Sequence, residues 1–232
     1  MKKEPSFPFP FEEYLKEVET FHGFAAPGLL VGGYMVNKAK KQIPSGVLYE
    51  ALCETPKCLP DAVQLLTPCT IGNGRLRIIS LGRFALSLFD KDTGVGIRVF
   101  PDPAKVESWP ELNAWYMKLK TKQEQHISLL ISQIRQAGEE IVKQQPIRIK
   151  PEVYRKISRG PMAICPGCGE TYPAAAGGSC LACQGKSPYV AQGDICNVKK
   201  IFMAGSKAEL RAHRNPNKEV RVVAGMMRKQ PK

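Results

Sequence analysis

Four of the eight cysteines come in two closely spaced pairs, and this spacing constrains the fold more than any other feature of the sequence. Cys165 and Cys168 form one Cys-x2-Cys pair, and Cys180 and Cys183 form the other, 11 residues further on. A two-residue spacer lets one tight turn aim both sulfurs at one point, so two such pairs suit four thiolates around a tetrahedral zinc ion. The segment between the pairs is rich in Gly and Ala and offers almost no apolar core. We therefore expect bound metal to supply its folding free energy.

Two other uses of paired cysteines need to be weighed, a redox Cys-x2-Cys motif and two structural disulfides. A redox motif occurs once, at the start of a helix that follows a strand, and disulfides are rare in the cytosol. The N-terminal residues include Lys2 and Lys3 but no continuous apolar stretch, so we expect an unsecreted, cytoplasmic protein. These features favour zinc, in a structural role because four thiolates leave no open position for a substrate.

Hydropathy and charge limit the classes of partner. The longest apolar run, residues 24–36, contains Pro and Gly, whereas a membrane helix needs about 20 apolar residues, so we expect no membrane partner. The chain carries 34 Lys and Arg against 21 Asp and Glu. Residues 1–144 hold 18 and 16 of these, which leaves 16 and 5 in the other 88 residues. The basic C-terminal third therefore predicts either a nucleic-acid or acidic partner, or a solvated basic tail without one.

Short-range signals predict an α+β fold with an antiparallel sheet and packed helices. Helices are expected over about residues 11–20 and 28–41, the second with lysines at its C-terminal end. Strands are expected over residues 46–54, 75–81, 83–90 and 95–100. The Lys-Asp-Thr-Gly sequence at residues 91–94 makes the last two strands a hairpin. Short connections of this kind require antiparallel pairing, because a parallel connection needs about a dozen residues or more.

A long apolar stripe follows the predicted strands. Between Pro110 and about Gln144, seven apolar residues recur at helical spacing: Leu112, Trp115, Leu119, Ile127, Leu130, Ile134 and Ile141. A helix of about 30 residues would span roughly 45 Å, more than the width of a small domain, so part of the stripe would need a partner. The sequence therefore predicts a long dimerising helix and a homodimer, with Trp115 and Tyr116 in the core or the dimer interface. The alternative is a break near residues 120–124 that lets both pieces pack within one chain.

These patterns divide the chain into three parts. Pro146 and Pro151 mark a linker after the predicted long helix. We therefore expect an α+β domain over residues 1–145, a linker with a small zinc-ribbon or zinc-finger domain over residues 146–190, and a basic extension over residues 191–232.

Two further stretches contain unusual motifs in a fixed order. Residues 21–29 have the sequence FHGFAAPGL, and residues 54–64 have the sequence ETPKCLPDAVQ, followed by TPCTIGNG at residues 67–74. With the finger sequence from Cys165 to Glu170, they resemble the FmdE family, which takes its name from formylmethanofuran dehydrogenase. That family shows a His-Gly-His-x-Cys-Pro-Gly motif, a Cys-x-x-Asp-Ala-x-Gln helix and a Gly-Cys-Thr-x-Gly-x-Gly turn. The resemblance covers about residues 11–190.

The resemblance implies an α+β domain that forms homodimers, with a zinc finger attached. It implies an accessory component linked to molybdenum- or tungsten-pterin enzymes that handle C1 units, with the subunits of formylmethanofuran dehydrogenase as partners. It also implies a site at His22, Cys58 and Asp61, where the family pattern supplies metal or thiol ligands. Two further positions of that pattern are Phe24 and Ala26 in this chain, so the resemblance implies a partly degenerate site.

Elementary chemistry leaves two interpretations of these three residues. Cys58 lies in or beside the first turn of a predicted helix, where the dipole lowers a thiol pKa, and Asp61 shares its face, which suits a shared metal or proton. The alternative is a half-buried structural thiol beside a first-turn Asp that favours the helix dipole. His22 is likewise either a ligand or a packing histidine.

Three function classes follow from the sequence. The first is a dimeric, zinc-containing accessory or metal-handling protein of molybdenum- or tungsten-dependent C1 metabolism, as the resemblance implies. The second is a nucleic-acid-binding module made of the zinc finger and the basic tail, with an N-terminal domain that only dimerises. The third is an independent enzyme that acts on a small molecule of unknown identity.

Overall fold

The computed structural model describes residues 10–155 and 160–189, and the chain divides into two compact units that meet at about residue 156. We call residues 10–155 the α+β unit and residues 160–189 the finger. The elements of the α+β unit are α1 (Phe11–His22), α2 (Pro27–Lys40), β1 (Tyr49–Cys53), α3 (Leu59–Leu66), β2 (Leu76–Ile78), β3 (Leu86–Asp90), β4 (Val95–Pro101), α4 (Pro103–Val106), α5 (Pro110–Tyr116), α6 (Ile127–Ala137), a 3-10 turn (Gly138–Ile141), β5 (Val142–Arg148) and α7 (Pro151–Tyr154). The finger contains β6 (Met162–Ile164), β7 (Thr171–Pro173), a 3-10 turn (Ala174–Ala176) and a π-helical turn (Ala182–Lys186).

The α+β unit is built on a five-stranded sheet with the order β2-β1-β3-β4-β5. The predicted hairpin of β3 and β4 is confirmed: Leu88 pairs with Ile97, and the Asp90 carboxylate accepts hydrogen bonds from Thr93 N–H and Oγ1–H in the turn. The predicted antiparallel pairing holds everywhere except at the edge, where β1 and β2 are parallel. Helix α3 lies between them in the chain and supplies the long connection that parallel strands require.

Helix α2 is the central element of the α+β unit. Pro27 occupies its first turn, where a missing N–H leaves no hydrogen bond unmade, and Lys38 and Lys40 favour the negative end of the helix dipole. Ten of its 14 residues are buried, so the helix needs partners on several sides. On one side Gly33 lies so close to the ring of Tyr14 that an added Cβ would come within 2.6 Å of it. Close helix packing of this kind brings α1 and α3 against α2 and fixes the ends that carry the candidate site.

The predicted long helix is wrong, because the segment forms two helices, α5 and α6. Lys118 adopts a left-handed φ of 58° just after α5, and the Glu111 carboxylate accepts hydrogen bonds from Lys120 Nζ (2.6 Å) and His126 N–H (2.9 Å). These contacts turn the chain back, so that the stripe packs within one chain. Its buried members are Leu112, Leu130, Ile134 and Ile141. The alternative of a broken helix is confirmed, the dimerising helix is absent from this segment, and the homodimer stays a prediction.

The α+β unit extends past the predicted boundary at residue 145. Residues 142–148, which the sequence patterns place at the end of the long helix and in the linker, form β5 and pair with β4. Beyond it Tyr154 packs on Phe89, with ring centroids 6.1 Å apart, and covers the second face of the sheet. The predicted basic extension over residues 191–232 lies outside the described residues. In the part of the chain that the structure describes, no helix combines the length and apolar character that crossing a bilayer requires.

Candidate metal centre and candidate binding cavity

Two turns of the finger position its four cysteines. Cys165 directly follows β6, and its carbonyl oxygen accepts a hydrogen bond from the N–H of Gly169, which adopts the positive φ (77°) that closes this turn. Cys180 and Cys183 lie in a second turn, where Gln184 N–H donates to the Cys180 carbonyl oxygen. The finger thus folds the two Cys-x2-Cys pairs towards each other, as the spacing predicted.

The sulfur geometry of this cluster suits a tetrahedral metal ion. The four Sγ atoms lie within 4.8 Å of one another, and Cys168 Sγ is 3.7 Å from Cys180 Sγ. For zinc–sulfur bonds of about 2.3 Å, the edge of a sulfur tetrahedron is about 3.8 Å. Backbone N–H groups support the sulfurs from outside: Cys180 N–H donates to Cys165 Sγ and Cys183 N–H to Cys180 Sγ, both at 3.4 Å. Such contacts orient the ligands of a metal centre.

The electrostatics of the cluster favour a cation at its centre. Backbone hydrogen bonds, that from Cys180 first, lower the pKa of Cys165 to about 6. The neighbouring sulfurs raise the pKa of Cys183 to about 12. One cysteine is therefore readily ionised, and the others resist ionisation beside it. A divalent ion removes this conflict, because it binds all four sulfurs as thiolates.

In the α+β unit, the structure brings His22 and Asp61 together. His22 ends α1, Asp61 lies in the first turn of α3, and His22 Nδ1 is 2.8 Å from Asp61 Oδ2. Cys58 is the residue before α3 and adopts a φ of 58°. Among residues 10–155 and 160–189, the finger cysteines are the cluster in which three or more His, Cys, Asp or Glu ligand atoms converge. His22, Cys58 and Asp61 thus neighbour one another without converging on one point.

The expected lowering of the Cys58 thiol pKa is wrong. Burial raises this pKa, and the Asp61 carboxylate raises it further, against opposing contributions from Lys118, Lys57 and Lys122. The thiol also lies against α2, since a Cβ added to Gly28 would come within 2.7 Å of Cys58 Sγ. Close packing here outweighs the effect of a helix N-terminus that is only one turn away.

Cys58 opens onto a cavity of about 1380 Å³ in the α+β unit, which no motif of the sequence predicted. Its lining includes Phe24 and Ala26, the two positions that depart from the family motif. The cationic residues of its wall are Lys57, Arg83, Arg98, Lys118 and Lys122, and the aromatic ones are Phe24, Phe84, Phe100, Trp115 and Tyr116. The predicted place of Trp115 and Tyr116, in the core or a dimer interface, therefore overlooks this cavity. The available signal was the alternation in β4, where Arg98 and Phe100 alternate with the buried Ile97 and Val99.

A buried carboxylate orients two of these cations. Glu54 is only 4% exposed, and Arg98 donates to both of its oxygens, from Nε at 2.6 Å and from Nη2 at 2.9 Å. Arg83 Nε lies 2.6 Å from Glu54 Oε2. Burial alone would raise the pKa of Glu54, but the hydrogen bonds and charges of the two arginines hold it below its ordinary value. The ion pairs therefore fix the guanidinium groups at the cavity wall.

An α+β unit with a largely antiparallel sheet, followed by a four-cysteine finger, defines a two-part protein with a treble-clef type of metal-binding module. The family model for FmdE, described by the molybdenum formylmethanofuran dehydrogenase operon, matches residues 21–149, and the model for the FmdE treble clef zinc finger matches residues 156–190. The first match covers more than half of the chain. The chain belongs to the FmdE family, as its motifs predicted.

Two known proteins are similar to this chain. A crystal structure of an FmdE-like protein of tungsten formylmethanofuran dehydrogenase, from Syntrophus aciditrophicus, has 46% sequence identity and a TM-score of 0.75, and the match covers 81% of this chain and 100% of that chain. A probable S-adenosyl-L-methionine-binding protein from Archaeoglobus fulgidus is 30% identical over 105 residues, 41% of this chain and 28% of that protein. The chain thus spans less than a third of the length of that curated relative.

Proposed function

We propose that this protein is a zinc-containing accessory protein of molybdenum- or tungsten-dependent C1 metabolism that functions as a homodimer. The observation that carries the proposal is the match over the full length of the FmdE-like protein of tungsten formylmethanofuran dehydrogenase, finger included. The subunits of formylmethanofuran dehydrogenase are the partners we propose. A tagged chain, expressed in an organism that contains such an enzyme, should co-purify with its subunits. Recovery of the tagged chain alone, under conditions that keep the enzyme intact, would contradict this role.

The finger binds one zinc ion in this proposal, through Cys165, Cys168, Cys180 and Cys183. The sulfur separation of 3.7 Å and the donor set support zinc, and a closed set of four thiolates gives the ion a structural role. Atomic absorption on protein purified without chelators should give close to one zinc per chain. Less than about half an equivalent would overturn the assignment.

The His22, Cys58 and Asp61 site is a degenerate relic in this proposal and holds no tightly bound metal. Phe24 tilts against His22 with ring centroids 4.9 Å apart, in the position where the family motif has a ligand. The double variant Phe24→His/Ala26→Cys should therefore bind a second equivalent of zinc, because it restores nitrogen and sulfur ligands. The matched control Phe21→His/Ala25→Cys introduces the same residue types beside the motif and should stay at one equivalent. A second metal ion in the unmodified protein would contradict the relic.

The homodimer is tested by light scattering at micromolar concentration, where we expect about twice the chain mass of 25.7 kDa. The apolar stripe no longer supports dimerisation, because it packs within one chain. The support comes from the family resemblance and from large exposed apolar side chains after α5, Met117 (54%) and Leu119 (67%). A Leu119→Ser variant should weaken the dimer, whereas Leu81→Ser, at a similarly exposed position, should not. A monomeric wild-type protein would overturn this proposal.

A second candidate function is nucleic-acid binding, and the charge distribution favours it. Residues 145–232 carry a formal charge of +11 and include the finger. Binding through phosphates should weaken steeply between about 50 and 200 mM salt, because neutralised phosphates release counterions. Gel-shift titrations with duplex DNA and single-stranded RNA at several salt concentrations test it. Dissociation constants in the millimolar range at low salt would exclude this function.

A further inference from the structure

The cavity in the α+β unit is unusual in the sign of its charges. Five cationic side chains lie on its wall, and among the described residues that line it there is no carboxylate. Glu54 balances part of this charge, but it sits behind Arg83 and Arg98, and is almost fully covered. A group that enters the cavity therefore meets positive charge. A concave surface with charges of one sign raises the local concentration of ligands of the opposite sign.

Three of the cations are available to a ligand. Lys57, Lys118 and Lys122 are exposed, and within the described ranges none of them forms an ion pair with a carboxylate. All three lie near enough to Cys58 to influence its thiol. Three lysine side chains from separate segments thus approach one wall of the cavity. Lysines without acidic partners at one wall are the arrangement that binds phosphate, sulfonate or carboxylate groups.

The aromatic side chains provide the other half of the surface. Phe84 contacts Trp115 and Tyr116 edge-on, with ring centroids 6.1 Å and 6.5 Å away, so these three rings form one connected apolar wall. Phe24 at the rim is 59% exposed. Arg98 lies over the ring of Phe100, with its Cζ 4.7 Å from the centroid. Rings arranged in this way offer faces and edges on which a planar group can stack.

We propose that this cavity binds a small anion that carries a planar aromatic group, with the rings holding the aromatic part and the lysines the anionic part. The cavity exceeds the roughly 300–1000 Å³ of common small-molecule sites, so it admits a ligand of nucleotide size or larger. The same charge argument disfavours S-adenosyl-L-methionine, whose sulfonium group makes it a cation at neutral pH. This inference goes beyond the accessory role and depends neither on the zinc ion nor on a dehydrogenase partner.

The test compares two probes that share their rings and differ in charge. The full chain is titrated with 8-anilino-1-naphthalenesulfonate, an anion, and with N-phenyl-1-naphthylamine, the same ring system without the sulfonate. We expect the anion to bind at least tenfold more tightly at low salt, with energy transfer from Trp115, and to lose affinity as salt rises. AMP should likewise compete with the bound anionic probe more strongly than adenosine does.

Matched variants locate the binding. The triple variant Lys57→Gln/Lys118→Gln/Lys122→Gln should weaken binding of the anionic probe by tenfold or more. The control triple Lys16→Gln/Lys143→Gln/Lys150→Gln removes the same charge from exposed positions off the cavity and should stay within twofold. Phe24→Ala should also weaken binding, whereas Phe21→Ala, an equally exposed aromatic off the lining, should not.

Three results would overturn the inference. Equal losses in the two triple variants would mean that the net charge of the chain, including its basic C-terminal third, attracts the anion. Equal or tighter binding of the neutral probe would mean that the cavity is merely apolar. Absence of binding by the wild-type protein would mean that no such site exists. Each result leaves the zinc content and the co-purification test of the accessory role unaffected.

Discussion

The α+β unit and the finger oppose the conformational entropy of their chains by different means. The α+β unit buries whole side chains around α2, among them Leu29, Leu30 and Met35 at 0% exposure. The finger buries two residues of this kind among those described, Cys165 and Tyr172. An area of apolar surface that small does not offset the ordering of about 30 residues. The comparison teaches that one unit folds by hydrophobic burial, whereas the other needs its metal. Both tryptophans, Trp109 and Trp115, lie in the α+β unit, so their fluorescence reports on that unit alone.

The largest effect should come from a finger ligand. Cys168→Ser should release zinc and unfold the finger, because structural zinc supplies about 10 kcal/mol or more to domains of this kind. Zinc release is measured with a chromogenic chelator, and unfolding by limited proteolysis with mass spectrometry. Tryptophan fluorescence should stay unchanged. Ser179→Ala, a neighbour that is no ligand, serves as the control, and first cleavage outside the finger in the Cys168 variant would break the comparison.

A second experiment exchanges the roles of the two units. Leu30→Ala removes a fully buried side chain and should lower the free energy of unfolding of the α+β unit by about 2–5 kcal/mol. The matched substitution Leu181→Ala acts on a side chain in the finger that is 48% exposed and should change stability by less than about 0.5 kcal/mol. Urea unfolding followed by tryptophan fluorescence measures the first, and chelator-driven zinc release the second. Similar sensitivity of both positions would show that the finger has a core.

The Glu54 ion pairs predict a pH-dependent contribution to the α+β unit. Because the folded pKa of Glu54 lies below its ordinary 4.5, the contribution is present above pH 4.5 and disappears as pH falls through the lower folded value. Glu54→Gln should cost about 3 kcal/mol at pH 7, since it leaves Arg98 without its buried partner. The cost should shrink below pH 4.5. Glu107→Gln, at an exposed carboxylate, is the control, and a cost independent of pH would exclude the ion pairs as its cause.

The smallest effect concerns the reactivity of Cys58. Its raised pKa predicts slow alkylation by iodoacetamide at pH 7, with a midpoint in the pH profile above that of free cysteine. Asp61→Asn removes a neighbouring negative charge and should shift the midpoint down and raise the rate several-fold. Asp92→Asn should leave the rate unchanged. Peptide mass spectrometry assigns the alkylated residue, and a midpoint below that of free cysteine would restore the activated thiol.

Short-range patterns predicted what local chemistry decides. The cysteine spacing fixed the convergence of the finger sulfurs, and the turn at residues 91–94 fixed the register of the β3–β4 hairpin. These features depend on a few neighbouring residues, so the sequence carries them directly. The motifs around His22 and Cys58 identified the family for the same reason.

The failures all involve residues that are distant in the chain. The break between α5 and α6 depends on the Glu111 carboxylate, which receives its partners 9 and 15 residues later, and a hydrophobic period cannot show this. The pKa of Cys58 rises because the thiol packs beneath α2, a contact across 30 residues. The cavity combines side chains from helices, strands and loops, none of which forms a motif on its own.

The close approach of Gly28 to Cys58 has an evolutionary consequence. Any side chain at position 28 would occupy the space of the Cys58 sulfur, so the two positions cannot change independently. We expect them to covary among relatives: a glycine at 28 wherever 58 is a cysteine, and a larger residue at 28 only where 58 has become small. The covariation would let a lineage trade its thiol for a better helix former in a single coupled step, and such pairs would mark the relatives that have abandoned this part of the ancestral site.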